Sequence, residues 1–428
     1  MDGERGQPGA SHLNHWGIKG VAVLAVAAAV IGGVAMAPVF AKVMGGTITL
    51  GAAISLTGKY RTNGTHTLNG YDLAVKAINV AGGVRVGGKT YRLAINHHDD
   101  KSTIALSIYL VERMIERDGI KFMLGPYGSG LTKAVATVTE KYKIPMVEAE
   151  GPSRAIFSQG YKYLFAVLSN SGQHLASSIA LALEIAKKNG KSASDVTVAV
   201  VFENDPFSLD ARAGVIEEAK NHGVKIVIDD KLPRDPSDMS ATLTKVRAVK
   251  PDLLVVSAQS KGVVTVAKLL KDLKIDLPMI AMTHCEVARL IAKFGKASNG
   301  FLCPTQWAET LTYKDTLFGT AAEYSALFKK TYEGYKTVPY QAAQASAAVM
   351  VWKDALERAN AFDIEKIRQA LADTNMKTFY GDIKFSPAGN NIAKPMVLRQ
   401  IQNGEFNAVA PSKWASHSVE WPRKVPGG

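Results

Sequence analysis

The sequence predicts an α/β protein made of two lobes, each a parallel sheet covered by helices on both faces. Strand and helix patterns alternate along the chain, and the alternation starts again near residue 196. The helical segments are long enough for the crossovers that parallel strands require. The chain has 428 residues, more than the roughly 100–200 residues of a usual domain. Two doubly wound lobes account for all three observations.

The first round of alternation opens with a strand, a polar loop and a helix. From Ile48 to Ile54, apolar residues alternate with small or polar ones, as in a strand. The polar, glycine-bearing loop spans residues 55–63, and an apolar stripe with helical spacing follows from Leu68. Further strands are predicted at 91–99, 122–125, 145–147 and 163–167, and helices at 102–118, at 129–143 and in a long segment that ends near 188.

The second round repeats this pattern, and the regular alternation of strands and helices then ends. Three helical stripes follow residue 317, and two short strands are joined by Asn403–Gly404, a pair that favours a tight hairpin turn. In the second round, strands are predicted at 196–202, 224–229, 253–257 and 279–282, and helices at 209–222, 237–249 and 262–273.

Residues 1–41 are interpreted as a signal peptide. The apolar run "VAVLAVAAAVI" at 21–31 is short, whereas a membrane-spanning helix needs about 20 residues. In "APVFAK", Val39 and Ala41 fit the small-residue rule for signal peptidase, which predicts cleavage after Ala41 and a periplasmic protein. The alternative is a retained N-terminal anchor.

The charge distribution bears on the partners of the protein, and the cysteine content bears on a possible disulfide. The net charge is +13, but the basic residues are scattered, with no run of five. A nucleic-acid binder usually shows a dense basic stripe, so no nucleic-acid partner is expected. Cys285 and Cys303 could pair in an exported chain, and the sequence leaves this open.

Nothing in the sequence argues for catalysis, a cofactor or a metal. The cluster "NHHDD" at 96–100 resembles a metal site, but adjacent histidines on a strand point to opposite faces. Asp99 and Asp100 are more simply caps for the helix that starts near Thr103. No GxSxG elbow or HExxH motif occurs. We therefore expect a protein that is not an enzyme.

Binding residues are expected in the loops that follow strands, because ligands of parallel sheets sit at the carboxyl ends of the strands. In "GPYGSGLT", Ser129 begins a helix, and the glycines beside it let a small anion approach the backbone. The motif is neither GxGxxG nor a P-loop. An ordinary helix cap is the alternative role for Ser129.

Several of these segments resemble the periplasmic ligand-binding proteins of branched-chain amino-acid ABC importers. They are "SLTG", "NGYDLAVKAINVAGGV", "LGPYGSGLT", "KYKIPMV" and "ENDPFSLDARAG", within a resemblance that spans 47–411. It implies a type I periplasmic-binding fold with three hinge crossings, near 167–170, 302–306 and 375–381. Lobe 1 would then comprise 42–168 and 305–377, lobe 2 would comprise 169–304 and 378–415, and 416–428 would form a tail.

The resemblance also implies a binding site. The ligand carboxylate would sit at the loop matching 127–129, and an acidic side chain of the second lobe would hold an ammonium. This sequence keeps Ser129 but has Pro152 where a hydroxyl residue is usual, with Glu150 as an added charge. His284 falls where the acid belongs, and Glu286 follows two residues later. The candidate binding residues are Tyr60, Tyr127, Ser129, Glu150, Gly151, Phe207, Gln259 and His284.

The function implied is capture of a small carboxylate-bearing ligand by a monomer and its delivery to the membrane permease of an ABC importer. An amino acid is the first choice of ligand, held by Glu150. If His284 instead faces the site as a donor, an aromatic or 2-oxo carboxylic acid is the alternative. A ligand-sensing receptor or an α/β enzyme is the second alternative.

Overall fold

The computed structural model describes residues 46–287 and 289–424. The interpreted signal peptide and its cleavage site after Ala41 lie outside these residues. No helix in the described part of the chain has both the length and the apolar character needed to cross a bilayer.

The first lobe is built on a six-stranded sheet. Its strands pair in parallel, except for the short β2, which is antiparallel to β3. In chain order the elements are β1 (Thr47–Ile54), α1 (Arg61–Val80), β2 (Val84–Val86), β3 (Lys89–Asp99), α2 (Ile104–Glu116), β4 (Met123–Leu124), α3 (Ser129–Lys141), β5 (Met146–Glu148), α4 (Arg154–Phe157) and β6 (Leu164–Ala166), and the sheet order is β2-β3-β1-β4-β5-β6.

The second lobe is built on a seven-stranded sheet. Its elements up to the next crossing are α5 (Gly172–Lys188), β7 (Thr197–Glu203), α6 (Pro206–His222), β8 (Lys225–Leu232), α7 (Ser240–Val249), β9 (Leu253–Ser257), α8 (Ser260–Asp272), β10 (Met279–Met282), α9 (Leu290–Phe294) and β11 (Phe301–Thr305). These five strands pair in parallel. The predicted fold class, two α/β lobes with parallel sheets, is confirmed.

The chain then returns to the first lobe before its last hairpin completes the second sheet. The returning elements are β12 (Lys314–Asp315), β13 (Gly319–Thr320), α10 (Ala321–Thr331), α11 (Tyr340–Ala359), α12 (Ile364–Ala372), β14 (Asn375–Thr378) and β15 (Gly381–Lys384), and the final hairpin is β16 (Val397–Gln402) and β17 (Glu405–Ala410). The sheet order is β17-β16-β11-β10-β9-β7-β8. Asn403 and Gly404 both have positive φ, as the predicted turn requires.

Helix α11 is almost entirely buried and packs against α1. Its alanine-rich sequence allows the two helix backbones to approach closely. A Cβ at Gly70 would lie 2.1 Å from the carbonyl oxygen of Ala342, so only glycine fits at this contact. This packing fixes the start of α11 beside the loops that follow β4 and β5.

Aromatic residues in and just after the expected third crossing at 375–381 pack with the first lobe. Phe379, Tyr380 and Phe385 are buried in the same core as α1 and α11, and Phe379 stacks on Tyr324 at 3.9 Å. These aromatic contacts keep residues 378–385 with the first lobe, and the chain rejoins the second sheet only at Val397. We therefore propose a third crossing at 391–396 in place of 375–381.

Two further features complete the second lobe. A disulfide joins Cys285 to Cys303, with a Cα–Cα distance of 5.9 Å, and so ties the loop after β10 to β11. Residues 416–424 of the expected tail also lie against this lobe. Gln400 exchanges hydrogen bonds with the backbone of Glu420, and Arg423 is buried.

Candidate ligand-binding site

A cleft between the lobes lies at the carboxyl ends of both sheets. It is narrow, and residues of both lobes contribute to its lining. Six of the eight candidate residues line it, and each follows a strand: Tyr127 and Ser129 after β4, Glu150 after β5, Phe207 after β7, Gln259 after β9 and His284 after β10.

The other two candidates lie outside this cleft. Tyr60 lines a neighbouring cavity nearer the surface, and its ring centroid is 5.5 Å from that of Tyr127. Gly151 lies behind the wall, where a Cβ would be 2.6 Å from the side chain of Thr132. Its N–H donates to Glu148 at 2.6 Å, so Gly151 shapes the loop that carries Glu150.

The first loop spans 55–60 and is shorter than the expected 55–63, because α1 already begins at Arg61. It is held by Asp99, the last residue of β3, and by Asp100, which follows it. Asp100 accepts from the Ser55 hydroxyl at 2.6 Å, and Asp99 accepts from the N–H of Leu56 at 2.9 Å. Helix α2 has no side-chain cap, so the expected capping role of Asp99 and Asp100 is wrong. They position the first loop instead.

The N-terminus of α3 points a hydroxyl and free backbone N–H groups at the cleft. Gly128 precedes the helix with a φ of 88°, a conformation that favours glycine. The hydroxyl of Ser129 accepts from the N–H of Ser153 at 3.1 Å. Its own proton has no acceptor among the described residues, so it is available to a ligand oxygen.

Glu150 is buried beside this helix terminus, and both of its carboxyl oxygens have partners. Gln344 donates to Oε2 at 2.7 Å, and the hydroxyl of Thr67 lies 2.9 Å from Oε1. Burial, together with the nearby Glu148, raises the pKa of Glu150 well above its usual value. Burial therefore favours the protonated form of Glu150.

The hydroxyl of Thr67 supports the same protonation state. It has one proton but two neighbouring acceptors, Glu150 Oε1 and the carbonyl of Asn63 at 3.0 Å. When that proton goes to Asn63, a protonated Glu150 supplies the proton for the second hydrogen bond.

His284 is neutral and presents a lone pair to the cleft. Its Nδ1 is 3.0 Å from the carbonyl of Ala258, which can only accept, so Nδ1 carries the proton. Nε2 is therefore an acceptor, 3.4 Å from the hydroxyl of Tyr127. Burial lowers the pKa of His284. In this arrangement His284 cannot donate to a ligand.

Phe207 stands between two neutral histidines and forms an aromatic wall. Its ring centroid is 5.1 Å from that of His174 and 5.1 Å from that of His284. Burial lowers the pKa of His174 to about 3. The wall therefore carries no charge at neutral pH and suits an apolar group.

Acidic residues of the second lobe lie around the cleft rather than in its lining. Glu286 forms an ion pair with Arg399 at 2.5 Å, so its charge is already matched. Asp205 caps α6 through Oδ1, and its Oδ2 is buried without a hydrogen-bond partner among the described residues. Glu150 is the acidic side chain that lines the cleft itself.

Sequence reasoning missed the lining residues that come from the hinge and the helices. Gln306 follows β11, and its amide bonds both the N–H and the carbonyl of Ser169 in the first crossing. Polar residues inside the apolar start of α11, such as Gln344, were an available signal, because buried amides need partners. The missed residues are Leu168, His174, Gln306, Tyr340 and Gln344.

Comparisons with known proteins agree with this architecture. A sequence model of the family described as periplasmic binding protein matches residues 47–405. Leu/Ile/Val-binding protein homolog 7 of Brucella abortus (strain 2308) is 23% identical over 402 residues, covering 88% of this chain and 94% of that protein. Homolog 8 of the same strain is also 23% identical, but over only 208 residues, so this match spans 50% of the relative's length.

Solved structures show the same fold. The leucine-binding protein LivK of Thermotoga maritima has a TM-score of 0.72 and 21% identity, covering 85% of this chain and 98% of that one. A solute-binding protein of Rhodopseudomonas palustris HaA2 in complex with p-hydroxybenzoic acid has a TM-score of 0.72 and 18% identity. The match covers 89% of this chain and 99% of that one.

Proposed function

The chain belongs to the periplasmic binding protein family and has its type I fold, and from this we propose that it captures an amino acid between its lobes for an ABC importer. One observation carries the choice of ligand. The same wall of the cleft holds the N-terminus of α3 with Ser129 and, beside it, the carboxyl group of Glu150. An amino acid has a carboxylate for the helix terminus and an ammonium for Glu150.

The ligand carboxylate is assigned to the helix terminus. The free N–H groups and the partial positive charge at the start of α3 stabilise an anion, and Ser129 can donate its hydroxyl proton. No lysine or arginine is among the described residues that line the cleft. A single carboxylate is therefore satisfied, whereas a second would have no cationic partner.

The ligand ammonium is assigned to Glu150. Burying an ammonium without a partner is costly, and an ionised Glu150 would match its charge. The ligand side chain would then lie against Phe207, Leu168 and Tyr340, which favours an apolar side chain.

An aromatic or 2-oxo acid is the second candidate. Tyr127, Phe207 and Tyr340 with the two histidines surround the cleft with rings, and a protonated Glu150 could donate to such a ligand's carboxylate. Structural relatives have been solved with benzoate and with hydroxybenzoates.

Titration of ligand-stripped protein with leucine, with the 2-oxo analogue of leucine and with benzoate decides between these candidates. We expect leucine to bind most tightly by calorimetry and to be recovered unchanged by mass spectrometry. A clear preference for the oxo acid or benzoate would contradict the amino-acid assignment. Conversion of any of the three would contradict a purely binding role.

Replacing Ser129 by alanine should weaken leucine binding by about one to two decades. The lost hydrogen bond to a charged group corresponds to roughly 1.5–3 kcal/mol. Thr137→Ala removes an exposed hydroxyl from the same helix and serves as the control. Wild-type affinity in Ser129→Ala would reduce Ser129 to a structural residue.

We further propose that the protein works as a monomer in the periplasm and passes its ligand to a membrane permease. The family and its solute-binding relatives support this placement. Co-purification of the ligand-loaded protein with its permease in detergent would test the partner, and N-terminal sequencing of exported protein would test the start at Lys42.

A further inference from the structure

Arg154 joins the two lobes at one end of the cleft. It lies at the start of α4 in the first lobe, two residues after Pro152, which lines the cleft. Its ionic partners, Asp210 and Glu217, lie on α6 of the second lobe, the helix that also carries Phe207. One arginine therefore connects the segments that form two walls of the cleft.

The contact has a defined geometry. The backbone N–H of Arg154 donates to Oδ2 of Asp210 at 2.9 Å, and Nε donates to Oδ1 at 2.6 Å. The terminal nitrogens donate to the two oxygens of Glu217 at 2.9 and 3.2 Å. A Cβ at Gly172 would lie 2.9 Å from the guanidinium carbon, so glycine leaves the room that the side chain needs.

Asp210 is the main partner. Its side chain is 9% exposed, whereas that of Glu217 is 59% exposed, and exposed ion pairs contribute little. The hydroxyl of Ser171 also donates to Asp210 at 2.6 Å, and the N–H of Ser171 donates to the carbonyl of Pro152 at 2.8 Å. Losing Arg154 would leave a largely buried carboxylate without its cation.

This contact continues into the ligand site. Ser153 directly precedes Arg154, and its N–H donates to the hydroxyl of Ser129. A displacement of Arg154 would therefore also move the hydrogen-bond donor that orients Ser129. Arg154 itself does not line the cleft.

We propose that Arg154 is a positioning residue that holds the two cleft walls together around the ligand and so slows ligand release. The proposal rests on the proposed function insofar as it assumes a ligand between the lobes. Separating the lobes would pull Arg154 away from α6, so this contact belongs to the closed arrangement.

Stopped-flow measurements of leucine binding test this role. Arg154→Ala should raise the dissociation rate constant roughly ten- to hundredfold and leave the association rate constant nearly unchanged, because changes in an interface act mainly on dissociation. The dissociation rate constant of Arg154→Lys should lie between those of wild type and Arg154→Ala, since an ammonium cannot reproduce the paired hydrogen bonds of a guanidinium group. Glu217→Gln should have little effect.

Arg212→Ala is the matched control. Arg212 also lies on α6 and donates through Nε to Asp229 at 2.7 Å, but both residues belong to the second lobe. Its dissociation rate constant should equal that of wild type. Equal increases in Arg154→Ala and Arg212→Ala would show a merely structural role and overturn the proposal.

Small-angle X-ray scattering of the empty protein provides a test that needs no ligand. Arg154→Ala should have a larger radius of gyration than wild type, because the closed arrangement loses a contact. Identical scattering curves would overturn the role of Arg154. If leucine and benzoate both fail to bind while the curves differ, only the proposed function is contradicted.

Discussion

Glu150→Gln should weaken the binding of leucine roughly a hundredfold or more, because a buried charge pair would lose one partner. Glutamine has nearly the same shape as glutamate and can still accept from Gln344, which donates to Oε2 in the wild type. The substitution therefore removes the charge with little change in packing. Calorimetric titration at neutral pH measures the loss.

The affinity for leucine should also depend on pH, in a direction that follows from the pKa of Glu150. Burial raises the pKa of Glu150, so leucine must displace a proton before its ammonium meets a carboxylate. The affinity for leucine should therefore rise as pH rises through that pKa, with release of a proton on binding. Glu150→Gln should remove this dependence.

A ligand without an amine should behave in the opposite way. Its carboxylate would be repelled by an ionised Glu150, so its affinity should fall as pH rises. Glutamine imitates the protonated acid, and Glu150→Gln should then preserve binding of the 2-oxo analogue at neutral pH. Affinity should therefore rise with pH for an amino acid and fall with pH for a ligand without an amine.

Glu148→Gln is the matched control for Glu150→Gln. Glu148 is also buried, and burial raises its pKa to about 7, but it accepts backbone N–H groups behind the wall and does not line the cleft. Leucine affinity should change little in this variant. Equal losses in both variants would mean that Glu150 acts through the loop and not on the ligand.

The sequence could predict the fold and most of the strand-end site because both depend on local patterns. Alternating apolar residues locate each strand, and the carboxyl ends of parallel strands meet at one edge of the sheet. Knowing that Glu150 follows β5 and Phe207 follows β7 is therefore enough to place both near the cleft.

The remaining part of the site depends on contacts between distant segments. Gln344 reaches Glu150 only because α11 packs on α1 at Gly70, and Gln306 enters the lining from a hinge crossing. The proton position on His284 is set by the carbonyl of Ala258. None of these contacts has a periodic signal in the sequence.

The hinge holds a buried lysine that sequence reasoning did not find. Lys394 is 3% exposed, and its ammonium donates to the carbonyl of Gln306 and lies 4.5 Å from the ring centre of Tyr380. Its own carbonyl accepts from the hydroxyl of Ser169 at 2.7 Å. Lys394 lies in the proposed third crossing and thus contacts Ser169 and Gln306 of the other two expected crossings. None of the ion pairs among the described residues includes it.

Burial lowers the pKa of Lys394 to about 7, from an ordinary value of 10.5. In the unfolded chain this lysine is protonated up to its ordinary pKa, whereas the folded protein disfavours the charged form. The destabilisation is therefore absent above the ordinary pKa, grows as pH falls from 10.5 to about 7, and is constant below. At neutral pH it is on the order of a few kcal/mol.

Lys394→Met should consequently raise the melting temperature at neutral pH, because methionine fills similar space without a charge. The gain should shrink as pH rises towards 10.5, and comparison with wild type at each pH cancels the titration of other buried groups. The lost hydrogen bond to Gln306 opposes the gain by roughly 1–3 kcal/mol, which is less than the cost of the buried charge near pH 7.

The control is Lys384→Met, which replaces an exposed lysine ten residues earlier and should show no such pH-dependent gain. A Lys394→Met protein that is less stable than wild type across this whole range would show that the ammonium stabilises the hinge, contrary to this prediction.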